Sequence, residues 1–109
     1  MELKNKQCKP CEGGVAPMSE AEEEQYVQSV PSWSLNRDGT HRISKDFKFK
    51  TFPQAIQFVN KVAEIAENQG HHPNFCVNYT VVKTELYTHA IDGLSENDFI
   101  MAAKLDNIV

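Results

Sequence analysis

The chain has 109 residues, 40% of them hydrophobic and 24% charged, with a formal net charge of −4, which leaves room for one domain around one core. Its Lys and Arg are scattered, which argues against direct binding to nucleic acid, and no apolar run reaches the roughly 20 residues of a membrane-spanning helix. Three cysteines, an odd number, make no disulfide framework, and MELKNKQCKPCEGG has no apolar signal-peptide region, so a cytoplasmic location is expected.

Residues 1–18 are polar and carry Pro10, Gly13, Gly14 and Pro17. They read as a flexible leader to a single domain over 19–109. Cys8 and Cys11 form a CxxC within it. There is no second pair for a zinc site, and no strand and helix flank it as in a thioredoxin-type motif, so it reads as two thiols in a tail. SEAEEEQYVQSV opens with Ser19 and has Glu22 three positions on, a capping box. Its acidic first turn suits the positive end of a helix dipole, and Pro31 sets a limit to the helix. WSLNRDGTHRISKDFKF then reads as a hairpin. Its turn is Asp38-Gly39, its longer arm holds Ile43, Phe47 and Phe49, and His41 is expected to be an exposed strand residue.

TFPQAIQFVNKVAEIAENQG is the best-marked helix. Thr51 is its N-cap, Gln54 stands three residues on, and Pro53 falls in the first turn, where its missing N–H costs nothing. Phe52, Ala55, Ile56, Val59, Val62, Ala63 and Ala66 form an apolar stripe, and Gly70 provides the left-handed stop. FCVNYTVVKTELYTHAI alternates Phe75, Val77, Tyr79 and Val81. It is too long for one strand, so a second hairpin is expected, turning around 80–83, with His89 in its last arm. Cys76 reads as a small core residue. SENDFIMAAKLDNIV opens with Ser95 and Asp98 and offers Phe99, Ile100, Ala103 and Leu105 to a core.

The order is α-β-β-α-β-β-α. Two hairpins cannot bury their apolar faces alone. The solution is an α+β two-layer sandwich, a four-stranded antiparallel sheet with three helices on one face. Its free sheet edges invite pairing with another chain, an oligomer among the outcomes.

His71 and His72 follow the stop at Gly70, at the negative end of a helix dipole, which favours protonated imidazole. Pro73 biases His72 to an extended backbone, where adjacent side chains point apart. Glu67 is unfavourably placed for the dipole, which points to a local task such as pairing with a histidine. Three histidines with carboxylates could hold zinc. Adjacent His71 and His72, however, lack the i, i+4 spacing that puts two ligands on one helical face, and no metal is expected. Helix-end histidines also commonly cap carbonyls, and spacing alone leaves that reading beside the functional one.

The pattern Glu67-x3-His71-His72-Pro73, then Tyr79, His89 and Asp98 at fixed gaps, resembles the signature of the pterin-4a-carbinolamine dehydratases. Trp33-Ser34-Leu35, FKFKTF around Phe49 and GLSENDFIMAAKLD extend the resemblance over residues 19–109, with the leader outside it. The resemblance implies the same four-stranded fold in dimers or tetramers, with no metal and no cofactor. It implies dehydration of 4a-hydroxytetrahydrobiopterin to quinonoid dihydropterin, downstream of an aromatic amino-acid hydroxylase such as phenylalanine hydroxylase. His71 and His89 would be the acid/base pair, and His72 would hold the pterin. Glu67 and Asp98 would accept hydrogen bonds, while Pro73, Phe75 and Thr88 would line the pocket. The family often has tryptophan near Phe75 and arginine at the position of Asn97, which leaves affinity open. Two other roles come with the resemblance: a dimerisation cofactor for a homeodomain transcription factor, and action in another pterin pathway such as that of molybdopterin.

Overall fold

The computed structural model describes residues 2–9 and 15–109. Pro10, Cys11, Gly13 and Gly14 of the expected leader lie outside them. Helix α1 spans Glu20–Val27, strands β1 and β2 span Ser34–Asn36 and Arg42–Lys48, and helix α2 spans Phe52–Gln69. Strands β3 and β4 span Asn74–Asn78 and Val81–Leu86, and helix α3 spans Glu96–Asn107. This is the expected order, and the sheet has four antiparallel strands arranged β1-β2-β4-β3.

The helix ends follow from their caps. Ser19 Oγ accepts from the Glu22 N–H at 3.2 Å, and Glu22 Oε1 accepts from the Ser19 N–H at 3.0 Å. Thr51 Oγ1 accepts from the Gln54 N–H at 3.3 Å, and Gly70 closes α2 at φ 67°. Register sets the core. Ile43 faces Leu86 and Phe47 faces Val82 on the helix side of the sheet. There they meet Trp33, Phe58, Val62, Phe99 and Leu105, all buried. Each large side chain so buried stabilises the fold by about 1.5–3 kcal/mol.

The structure corrects several expectations. In α2 the buried face is Ala55, Phe58, Val62 and Ala66. Phe52, Ile56, Val59 and Ala63 run beside that face and stay partly or fully exposed. The second hairpin turns at Tyr79-Thr80, earlier than expected, because Tyr79 itself takes the left-handed conformation at φ 54° that a glycine would have advertised. Cys76 is exposed, not core. It pairs with Lys83 on the uncovered face of the edge strand β3. His41 lies in the hairpin loop, and its Nδ1 is 2.8 Å from Glu23 Oε2. Glu23 is 1% exposed and also accepts from Arg37 Nε at 2.8 Å.

His89 is not in a strand. β4 ends at Leu86, and the Thr88 N–H then donates to the Gly93 carbonyl at 2.8 Å. The bridge pinches off a short 3-10 turn, His89–Ile91. Gly93 allows the pinch, since a Cβ there would stand 2.6 Å from Pro17 Cβ.

Residues 2–9 also differ from a free leader. Leu3–Asn5 form a 3-10 turn, Leu3 and Cys8 pack on the core, and Lys6 Nζ lies 2.9 Å from Glu96 Oε2. This layer explains why α3 buries residues on more than one side, Asn97 to Ala102 without a break.

Candidate active site

The helix stop at Gly70 aims the histidines. The N–H groups of Gly70 and His71 both donate to the Ala66 carbonyl, at 2.8 and 3.3 Å, which fixes how the chain leaves α2. His71 then turns inward and is 8% exposed. Its Nε2 is 2.6 Å from Asp98 Oδ1.

Asp98 is fully buried in the first turn of α3, where the helix dipole favours a carboxylate. Its Oδ2 accepts from Thr88 Oγ1 at 2.8 Å and from the Ser95 N–H at 3.0 Å. Thr88 Oγ1 is also 2.9 Å from Ser95 Oγ. A carboxylate is an acceptor, so His71 presents Nε2–H to it and keeps Nδ1 for other work. Among the described residues Nδ1 has no hydrogen-bond partner.

His72 points the other way, as two residues in an extended stretch must. Its Nε2 is 2.5 Å from Glu67 Oε2, and both side chains are largely exposed. This is the local task that the awkward position of Glu67 called for. His89 stands one residue beyond Thr88, exposed, with its ring 4.2 Å from that of Tyr87. Pro73 leads into β3, where Phe75 pairs with Thr84 on the helix side of the sheet and remains 36% exposed.

The structure thus joins His71, Asp98 and Thr88 directly and hangs His89 from the same anchor. It sets Glu67 and His72 apart as a second, solvent-facing pair. Among the described residues no group of three or more His, Cys, Asp or Glu is arranged to hold a metal ion. Also among them, no helix is long and apolar enough to cross a membrane. Sequence reasoning missed Ser95 as a donor to Asp98, although its place at the start of a capping box was the available signal.

Residues 16–108 match the family model described as pterin 4 alpha carbinolamine dehydratase. The chain belongs to that family. A relative from Halorhodospira halophila is 48% identical over 97% of this chain and 96% of its own length. One from Nitrosomonas eutropha is 44% identical over 99% of this chain and 94% of its own. Both are provisionally named pterin-4-alpha-carbinolamine dehydratases. A crystal structure described as a transcriptional coactivator/pterin dehydratase from Brucella melitensis superposes with a TM-score of 0.80 at 32% identity, over 84% of this chain and 97% of that one. A pterin dehydratase-like protein, described as a RuBisCO assembly factor in the alpha-carboxysome, gives 0.62 at 26% identity over 71% of this chain and 88% of its own. The relatives' matches reach into the first nine residues, so the likeness is wider than the 19–109 seen in the sequence.

Proposed function

We propose that the chain dehydrates a 4a-hydroxytetrahydropterin to the quinonoid dihydropterin and water, with 4a-hydroxytetrahydrobiopterin as the substrate. The observation that carries this is the Asp98 carboxylate, bound at one oxygen to His71 and at the other to Thr88, the residue before His89. Loss of water needs two proton transfers. The N5 proton is taken, the N5=C4a bond forms, and the 4a-hydroxyl leaves with a proton from an acid. Histidine serves either transfer near neutral pH.

His71, with its tautomer set by Asp98, is suited to accept a proton at Nδ1. His89, open to solvent, is suited to deliver one and be recharged by water. His72, steadied by Glu67, holds the pterin beside Pro73 and Phe75, whose ring offers an aromatic wall. No cofactor or metal enters the scheme. The product is an oxidised-level pterin, so a reductase and an aromatic amino-acid hydroxylase, that of phenylalanine foremost, would complete the cycle in the cytoplasm.

Stopped-flow dehydration of synthetic 4a-hydroxytetrahydrobiopterin tests the reading. The wild-type chain should accelerate the reaction, and the double variant His71→Gln/His89→Gln should lose that acceleration while keeping its fold. Full activity in the folded double variant would sink the acid/base assignment.

A second reading, as a protein-binding module, draws on the two neighbours described as a coactivator and as an assembly factor. Phe52 and Tyr79 carry it here, exposed and stacked with ring centroids 6.4 Å apart. The same surface is proposed to join copies of the chain in a homodimer or homotetramer.

A further inference from the structure

The site just described is held from one side by a segment that the proposed chemistry does not use. The Cys8 N–H donates to Gln69 Oε1 at 2.8 Å. One residue on, the Lys9 N–H donates to Asn97 Oδ1 at 2.9 Å, and Asn97 Nδ2 donates back to the Lys9 carbonyl at 2.6 Å. The Asn97 amide therefore pairs with the Lys9 backbone as a neighbouring strand would. Asn97 is 6% exposed, so these bonds are needed to satisfy a buried amide. Lys6 adds its ion pair to Glu96, one position earlier on α3.

The positions of the two anchors give the segment its meaning. Gln69 is the last residue of α2 and stands two before His71. Asn97 stands immediately before Asp98. His71 and Asp98 are 27 positions apart in sequence and lie on separate elements, yet their bond must be kept at 2.6 Å. Three backbone groups of the consecutive residues Cys8 and Lys9 tie those two elements together, right next to the bonded pair.

We propose that residues 6–9 are a positioning strap for the site, with Gln69 and Asn97 as its anchors. The strap touches no substrate. It sets the separation of α2's end from α3's first turn, and so the His71–Asp98 bond. The role in turnover rests on the dehydratase reading, while the role in holding the pair does not.

Gln69→Ala and Asn97→Ala each remove one anchor in the full-length chain. Gln69→Glu keeps an oxygen that the Cys8 N–H can reach and serves as the conservative variant. Three quantities are compared with wild type: solvent exchange of the His71 ring N–H in 15N-histidine-labelled protein, kcat and KM for the carbinolamine, and Tm. Both alanine variants should exchange the ring proton faster and lose kcat by about ten- to a hundredfold, the scale of a slightly misplaced catalytic group. KM should change less, and Gln69→Glu should recover most of both losses. Lower Tm with wild-type exchange and kcat would overturn the proposal, leaving the segment a mere stabiliser. If Asn97→Ala fails to fold, the Gln69 pair decides alone. If the wild-type chain proves inactive, the dehydratase reading falls and the exchange rates still decide the strap.

Discussion

Asp98 spends both oxygens on positioning: His71 on one, Thr88 and the Ser95 N–H on the other. Asp98→Asn keeps the shape but replaces one acceptor oxygen with an NH2. Either His71 or Thr88 and Ser95 then lose their acceptor, and His71 can flip to the other tautomer. The expected result is a fall in kcat of about 10²–10⁴-fold with a native circular dichroism spectrum. A loss below threefold would show that His71 does not depend on this carboxylate. A different residue makes the opposite case. Thr84 Oγ1 is buried with no hydrogen-bond partner among the described residues. Thr84→Val has nearly the same shape and removes the unsatisfied hydroxyl, so urea denaturation should show stability raised by about 1 kcal/mol. A loss of that size would mean the hydroxyl has a partner in solution. The two residues also differ in legibility. Asp98 was readable because it doubles as the third residue of a helix cap and fits a spaced pattern. Thr84 was one β-branched residue in a strand of several, and only the packing of two layers distinguishes it.

At the scale of elements, the ends of helices were written locally and the docking between elements was not. Ser19, Thr51 and Gly70 act within four residues of themselves, so a linear reading finds them. The strap acts over 61 to 90 positions, between Cys8 and Gln69 or Lys6 and Glu96, and a polar leader carries no period to betray it. The turn holding His89 was missed for the same reason, since its cause is Gly93 meeting Pro17. The Lys6–Glu96 pair gives the strap a pH signature. The Lys6 ammonium, helped by the hydroxyl of Tyr26, holds the Glu96 carboxyl below its ordinary 4.5 against the opposing effect of burial. Between the lowered folded value and the ordinary unfolded one, the unfolded chain binds more protons. Stability from Glu96 is therefore complete above about pH 4.5 and is lost as pH falls through the folded value. Urea midpoints measured downward from pH 6 should drop less steeply for Glu96→Gln, and also for Lys6→Ala, which removes the main cause. Identical slopes in all three proteins would show that the pair does not form in solution.

The whole molecule leaves one side unfinished. β3 is an edge strand, and all five of its residues are exposed. Phe75 and Val77 point to the helix side yet remain 36% and 37% exposed, because α2 covers β4 more than the edge beside it. Tyr79 at the end of β3 is 73% exposed and Phe52 at the start of α2 is 46% exposed, and their rings stack across the gap between the two elements. Ile56 and Val59 continue the same apolar line along α2. An edge with open backbone groups beside a contiguous apolar patch is costly to leave in water and is a template for pairing. A second copy pairing along this edge would satisfy both needs at once. Sedimentation equilibrium should therefore give a mass of at least twice 12.3 kDa at micromolar concentration. Val77→Lys places a charge on that edge on the side a partner would cover, beside Val82 in the register but at a position already 37% exposed. This variant should shift to the single-chain mass and keep its fold and helix content. A wild-type chain that sediments at 12.3 kDa across the concentration range would instead assign the patch to a different protein.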